Sequence, residues 1–274
     1  MRPIEFFEKH PVFTLDEFKR YAISQHSLNE NTQKEILAYH LRKKNITRIR
    51  RGLFASIPLS FRDTAESYVI DPYLIAGRIN DDAVLAYHSA LDFHGVSYTL
   101  SQQMIFLSQQ KIQPFVYQQT EFTRLPLSNT LVEKKKTNTE VMSVDRQGLN
   151  IKVTSLERTI VDALDRPEYA GGFEEIWRSA AHIPILNFDK MIEYAILLDN
   201  ATTIAKLGFF LEQYQKQFNV DEKALIKLQA KKPAGVHYLE RSKRETGKFM
   251  SRWNLMVPRR IIEQEWEEPD NDSI

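Results

Sequence analysis

The chain has no cysteine in 274 residues, so neither a disulfide nor a cysteine-ligated metal can form. Glycine is sparse too, at nine residues, and none falls in a GxxxxGK[ST], GxGxxG or GxSxG pattern. The phosphate-cradling loops and nucleophile elbow that those patterns build are therefore not expected. No apolar run approaches the roughly 18 residues that a helix needs to span a bilayer. The opening MRPIEFFEKHPVF carries acids within its first eight residues and lacks the apolar core of a signal peptide, so a cytoplasmic protein is expected. What is present is the composition of a soluble globular protein, long enough for one or two domains with real cores.

A formal net charge of +1 conceals strong segregation. Residues 32–52, TQKEILAYHLRKKNITRIRRG, hold seven basic residues against one acid, Glu35, a local net of +6. Residues 223–260 hold eleven basic residues and two acids, net +9, and residues 263–274 hold six acids and no base, net −6. The rest of the chain therefore carries a net −8. Two separate basic surfaces fit that layout; uniform polyanion binding does not.

The first sixty residues read as three helices and a β-hairpin. Pro3 near a helix start and Pro11 as a stop bracket a first helix over 3–10, with Ile4, Phe6 and Phe7 placed for packing. Thr14 and Glu17 have capping-box spacing and open a second helix through Ile23, with Leu15, Phe18 and Tyr21/Ala22 on one face. Asn31 or Thr32, with Glu35 following, opens a third helix whose Ile36, Leu37, His40 and Leu41 face the core. Lys34, Ala38 and Arg42 then point outward, flanked by Gln33, Tyr39 and Lys43, and a small residue between two cations permits close approach to a groove floor. Asn45 can end the helix. Residues 46–49 and 53–57 are short strands around Arg50-Arg51-Gly52, where glycine supplies the positive φ of a tight turn. Alternation along the first strand places Arg48 and Arg50 on one face. A groove-fitting helix followed by an arginine-bearing hairpin is the winged helix-turn-helix arrangement, which binds duplex DNA.

Residues 60–63 read as a linker, and the pattern beyond them is mixed. Helices are expected over 72–79 behind an Asp71 cap, over 88–94 closed by Gly95, from a Thr154/Glu157 capping box to 164, and over 173–181, 188–198, 201–213 and 221–229. Strand character falls at 83–86, 104–107, 115–117, 121–125 and 149–153, and residues 236–258 mix short strand with basic loop. The expected class is α+β: a winged-helix domain over 1–60, a larger mixed α/β, mainly helical domain over 64–260, and a mobile acidic tail over 261–274.

Catalytic chemistry has little to stand on. His88 and Asp92 share a helix face, but His94 points elsewhere and no second ligand cluster has metal spacing, so these groups read as structural polar residues. Glu133 and Lys135 match the second half of a metal-dependent nuclease motif, yet their run, VEKKKTN, looks solvated and Asp92, the nearby partner, falls on a helix. The helix VTSLERTIVDAL buries Leu156, Ile160, Val161 and Leu164 and leaves an Arg158–Asp162 pair on its outer surface, worth a few tenths of a kcal/mol. No catalytic site, metal or cofactor is expected.

The second basic region interleaves cations with Tyr238, Phe249 and Trp253. Its candidate surface is Lys231, Lys232, Arg241, Lys243, Arg244, Lys248 and Arg252. Three readings stay open: a nucleic-acid backbone or single strand, a protein partner anchored by Trp, Tyr and Arg, or Trp253 and Leu255 in the core with merely solvated cations.

Four segments resemble the AbiEi (abortive-infection) antitoxin family: LAYHLRKKNITRIRRGLFA, LAYHSALDFHGV (85–96), VTSLERTIVDALDRP (153–167) and GKFMSRWNLMVP (247–258). They follow the family's order and span nearly the whole chain. The resemblance implies the antitoxin of a two-gene toxin–antitoxin system, whose winged helix binds repeats in its own promoter, as a dimer or otherwise, and represses it. It also implies that the C-terminal domain counters a cognate nucleotidyltransferase toxin, directly or indirectly. By carry-over, Gln33, Lys34, Arg42, Arg48, Arg50 and Arg51 would touch the DNA, while Ser89, Glu157, Arg158 and Asp162 would be structural. With Tyr39, Lys43 and Lys44 from the basic helix end, these complete the expected contacts to double-stranded DNA. The acidic tail has no counterpart in the resemblance. Two alternatives remain: a nuclease using Glu133, and a protein-interaction module without DNA binding.

Overall fold

Proline starts the first helix, α1 (Pro3–Lys9), of the computed structural model, which describes residues 3–25, 29–240 and 247–264. It is followed by β1 (Val12–Thr14), α2 (Leu15–Ser24), α3 (Glu30–Arg42), β2 (Ile46–Arg50) and β3 (Leu53–Ser56). The capping box forms as expected: the Glu17 amide donates to Thr14 Oγ1 at 3.2 Å and the Thr14 amide to Glu17 Oε2 at 2.8 Å. The three strands pair antiparallel in the order β1-β3-β2. Over them packs an aromatic core of Phe6, Phe7, Phe13, Phe18 and Phe54 with Leu37 and Ile46. Ile4, expected inside, is 43% exposed.

Helix α3 begins earlier than expected. Its N-cap is Asn29, whose Oδ1 accepts from the Thr32 amide at 2.8 Å, so Asn31 and Thr32 are already helical. Leu37 and His40 lie on the buried face as expected, and Gln33, one turn before Leu37, joins them. At the other end Lys44 takes φ +54, its amide bonding to the Leu41 carbonyl (3.1 Å) and the Asn45 amide to the His40 carbonyl (3.0 Å). This is a Schellman closure with lysine where glycine is usual. Asn45 lies beyond it and donates from Nδ2 to His40 Nδ1 at 2.7 Å.

The chain does not divide at residues 60–63, which lie within a 3-10 turn, Leu59–Thr64. It divides instead into two units made of separated stretches. The first comprises Met1–Leu85, Gln102–Leu125 and Met142–Val153. It adds α4 (Pro72–Arg78), capped by Asp71, and a six-stranded sheet. Its strands are β4 (Val84–Leu85), β5 (Gln103–Leu107), β6 (Phe115–Tyr117), β7 (Thr120–Leu125), β8 (Val141–Arg146) and β9 (Leu149–Thr154), ordered β6-β7-β5-β4-β9-β8. The pairs β5/β7 and β4/β9 are parallel, and β4/β5 and β6/β7 antiparallel. Strand β8 was not expected; it ends the sheet, and its turn, Gln147-Gly148, takes positive φ at both residues. Gly77 of α4 lets the helix sit directly on β9, since a Cβ there would lie 2.6 Å from Ile151 Cγ2.

The second unit comprises Ala86–Ser101, Pro126–Val141 and Thr154–Ile274. Its helices are α5 (His88–Phe93), α6 (Asn129–Glu133), α7 (Leu156–Asp165), α8 (Gly172–Ala180), α9 (Phe188–Leu198), α10 (Ala201–Gln213), α11 (Gln215–Phe218), α12 (Glu222–Gln229) and α13 (Arg259–Ile262). A small sheet, β10 (His237–Tyr238), β11 (Gly247–Met250) and β12 (Leu255–Pro258), is ordered β10-β12-β11. The cap of α7 is Ser155, whose hydroxyl accepts from the Arg158 amide, and not Thr154, whose hydroxyl meets Thr159 Oγ1 at 2.7 Å.

Arg158 and Asp162 do pair, at 3.2 Å, but in the interior and not on the outer surface of α7. Arg158 is 1% exposed, and its Nη1 donates to the carbonyls of Thr137 and Thr139 at 2.8 Å each. Tyr194 Oη donates to Asp162 Oδ1 at 2.7 Å. Burial pushes the Asp162 carboxyl up, with Arg158 and Tyr194 pulling against it.

Candidate nucleic-acid interface

With Gln33, Leu37 and His40 facing inward, the opposite stripe of α3 is Asn31, Glu35, Ala38 and Arg42, all exposed. Lys34 and Tyr39 (49% exposed) flank it, and Lys43 is exposed at the helix end. So Lys34, Tyr39, Arg42 and Lys43 lie at the surface, where a base or phosphate could reach them. Gln33 does not: it is 4% exposed, because it lies one turn before Leu37 and shares the core-facing stripe of Leu37 and His40. Asn31 takes the place on the outer face expected of Gln33. The pattern that could have revealed it is the i, i+4, i+7 spacing of Gln33, Leu37 and His40.

The hairpin separates its arginines. Pairing shifts register between Arg48 and Arg50, so Ile49 turns inward and simple alternation fails. Arg48 is exposed, its guanidinium 5.9 Å from the Phe54 ring centroid. Arg50 is half-buried, with its guanidinium 5.0 Å from the Phe115 ring of β6, and therefore does not share a free face with Arg48. Arg51 is exposed at the tip. The hairpin is short and tied down, the Gly52 carbonyl accepting from the Leu15 amide at 2.8 Å. Lys44 is exposed but faces Glu66 at 3.2 Å. The cations of this region with open access are thus Lys34, Arg42, Lys43, Arg48 and Arg51.

His40, on the buried face, stacks edge-on against Phe7 (4.9 Å, 71°) and accepts from Asn45 at Nδ1. Burial first, and then the charge of Arg62, hold its pKa below the ordinary histidine value. It serves as a neutral core residue.

In the second basic region Lys232 and Arg252 are tied into the fold. Trp253 is fully buried, and its Nε1 donates to Glu212 Oε2 at 2.7 Å; Leu255 is buried beside it. Arg252 bonds Glu212 Oε1 at 3.1 Å and also Glu222. Lys232 donates to the carbonyls of Ser251 and Arg252, both at 3.0 Å. Lys231 and Lys248 remain exposed. Arg241, Lys243 and Arg244 lie outside the described residues, as does the acidic tail from residue 265 on. Trp253 and Leu255 thus lie in the core, while Tyr238 and Phe249 stay exposed.

The groups weighed for catalysis do not converge. His88 lies 3.6 Å from Glu175 Oε1, Asp92 Oδ1 accepts from Ser97 Oγ at 3.1 Å, and His94 Nε2 bonds the Thr154 carbonyl at 2.8 Å. Glu133 is the last residue of α6 and Lys135 follows at φ +54, so neither sits on the strand a nuclease motif requires. Among the described residues no cluster of His, Asp and Glu could hold a metal, and no helix is long and apolar enough to cross a membrane.

The class defined by this architecture is a mixed α and β protein with exposed cations on α3, just past its end and on the hairpin. Family models give no match to the chain, and neither do curated proteins. Among solved structures it is similar to the crystal structure of the RV2827C protein from Mycobacterium tuberculosis, at 13% identity and a TM-score of 0.59, over 97% of this chain and 94% of that one. At that identity the likeness is one of fold.

Proposed function

We propose that residues 3–56 form a winged-helix DNA-reading element and that the chain is a transcriptional repressor of its own operon. The observation that carries this reading is the element order α1-β1-α2-α3-β2-β3, with the exposed stripe of α3 next to Arg48 and Arg51. On that stripe Asn31 matches adenine, Glu35 the cytosine amino group, Ala38 a thymine methyl and Arg42 guanine. Lys34, Lys43, Arg48 and Arg51 supply phosphate contacts, which fix position without reading sequence. The further step to an antitoxin that counters a nucleotidyltransferase toxin rests on the sequence resemblance alone.

Footprinting of the DNA upstream of the chain's own gene, with a salt titration, tests the repressor reading. A protected pair of repeats is expected, with log K falling at a slope of about −3.6 per protomer for four phosphate contacts. Arg51→Ala is expected to weaken all sequences alike, whereas Asn31→Ala blurs discrimination at one base pair. Absence of protection at low salt removes the reading. Rescue from a toxin encoded beside it, with and without the chain, decides the antitoxin step.

A further inference from the structure

Between α1 and the segment that follows β3, the first unit holds a groove of about 450 Å³. Its walls are mostly apolar, with Ile4 and Phe7 from α1, Ile57 just past β3, Leu59 of the 3-10 turn, and Tyr68. Ile4 and Leu59 remain 43% and 73% exposed, which makes the apolar surface continuous with the groove mouth and open to an incoming molecule. Into this lining comes a single cation, Arg62. Its Nε is buried and has no hydrogen-bond partner, and the side chain forms no ion pair, among the described residues. The protein itself shields that Nε, so an anion in the groove would meet the rest of the guanidinium, the one cation of the lining.

We propose that this groove binds a small amphipathic carboxylate, an aryl or short acyl acid, its apolar body against Ile4, Phe7, Ile57 and Leu59 and its carboxylate on Arg62. The volume lies in the range of about 300–1,000 Å³ of small-molecule sites, where an apolar lining and a few placed polar groups set the choice of ligand. A monoanion matches one guanidinium. Glu8 at the rim, exposed and acidic, disfavours a phosphate dianion. Two lining residues also reach α3: Asn45 bonds His40, and Phe7 packs edge-on against the same ring. Occupancy would thus alter the support of the helix that carries the exposed stripe. That regulatory consequence rests on the function proposed above, whereas carboxylate binding does not.

The test is an NMR titration of the full chain with 2-naphthoate, using 2-naphthalenemethanol as the neutral isostere. Saturable naphthoate binding is expected, with shifts centred on the Ile4, Ile57 and Leu59 methyls, and about tenfold weaker binding of the alcohol. Arg62→Gln should bring the acid down to the affinity of the alcohol, and Glu8→Gln should strengthen it. Equal affinity for acid and alcohol on the unaltered chain overturns the proposal without any variant. So does a folded Arg62→Gln chain that binds naphthoate as tightly as before. A chain that binds naphthoate in this way but shows no DNA affinity leaves the site standing and removes the repressor reading instead.

Discussion

At the scale of single residues, the strongest constraint is the interior guanidinium of Arg158. It serves two carbonyls and the Asp162 carboxylate at once, so its removal leaves a buried charge and two buried acceptors unmatched. Arg158→Ala is expected to cost about 3–5 kcal/mol, read as a drop in the denaturant midpoint of the second unit. Lysine cannot replace the planar fork and should recover little of that loss. A second consequence concerns His40. Because burial and Arg62 depress its pKa, the unfolded chain binds the proton more readily than the folded one. The stability it contributes is full above the unfolded value of about 6.5 and is lost as pH falls below that value. Urea unfolding at pH 7.5 and 5.5 should therefore show the first unit weakening on acidification, and His40→Gln should flatten the difference. An unchanged pH response in that variant would assign the effect to other groups.

At the scale of elements, the turn between β11 and β12 is fastened to α10 by Trp253. Trp253 lies so near the helix backbone that a Cβ on Gly208 would fall 2.1 Å from its ring. The ring is buried and cannot swing aside, so Gly208→Ala should destabilise by about 1–3 kcal/mol despite alanine's better helix propensity. Thermal melting checks the sign, since a rise in Tm would mean that the ring has room to move. Element by element, legibility in the sequence followed periodicity. Helices α9 and α10 have long apolar faces, and their limits, 188–198 and 201–213, were readable as they stand. Strand β8 was not, because four of its residues alternate between half-exposed and exposed without an apolar signature, and it gains its place from β9. On α3 the periodicity and its core-facing side were readable, but Gln33, a polar residue one turn before Leu37, gave no apolar signal that it belongs to the buried stripe. Likewise the two basic regions were plain in composition, but only contacts could tell a cation engaged with Glu212 from one open to solvent.

At the scale of the whole chain, composition suggested a cut near residue 60, yet contacts group residues 1–85 with two later stretches. Inside that first unit Arg50 stacks on Phe115, Arg78 bonds Glu17, and the Gln118 side chain bonds the Ile70 amide and the Tyr68 carbonyl. A fragment beginning at residue 64 should therefore lose amide-exchange protection in β5 and β7 while keeping it in α7 and α9. Undiminished protection in β5 and β7 would mean that the N-terminal element is an independent domain after all. The mixture of helix and strand was legible; this division was not, because it depends on strand order, which no local pattern encodes.

The order β6-β7-β5-β4-β9-β8 also sets a timetable on the ribosome. Strand β4 pairs with β5 soon after synthesis, but its other neighbour, β9, is made only after the intervening loops and α5 and α6. At about 5–20 residues per second, the nascent sheet carries an open hydrogen-bonding edge at β4 for several seconds. A trailing strand that arrives so late makes the first unit dependent on whatever shields that edge in the interval, and translation speed between residues 85 and 149 becomes a determinant of yield.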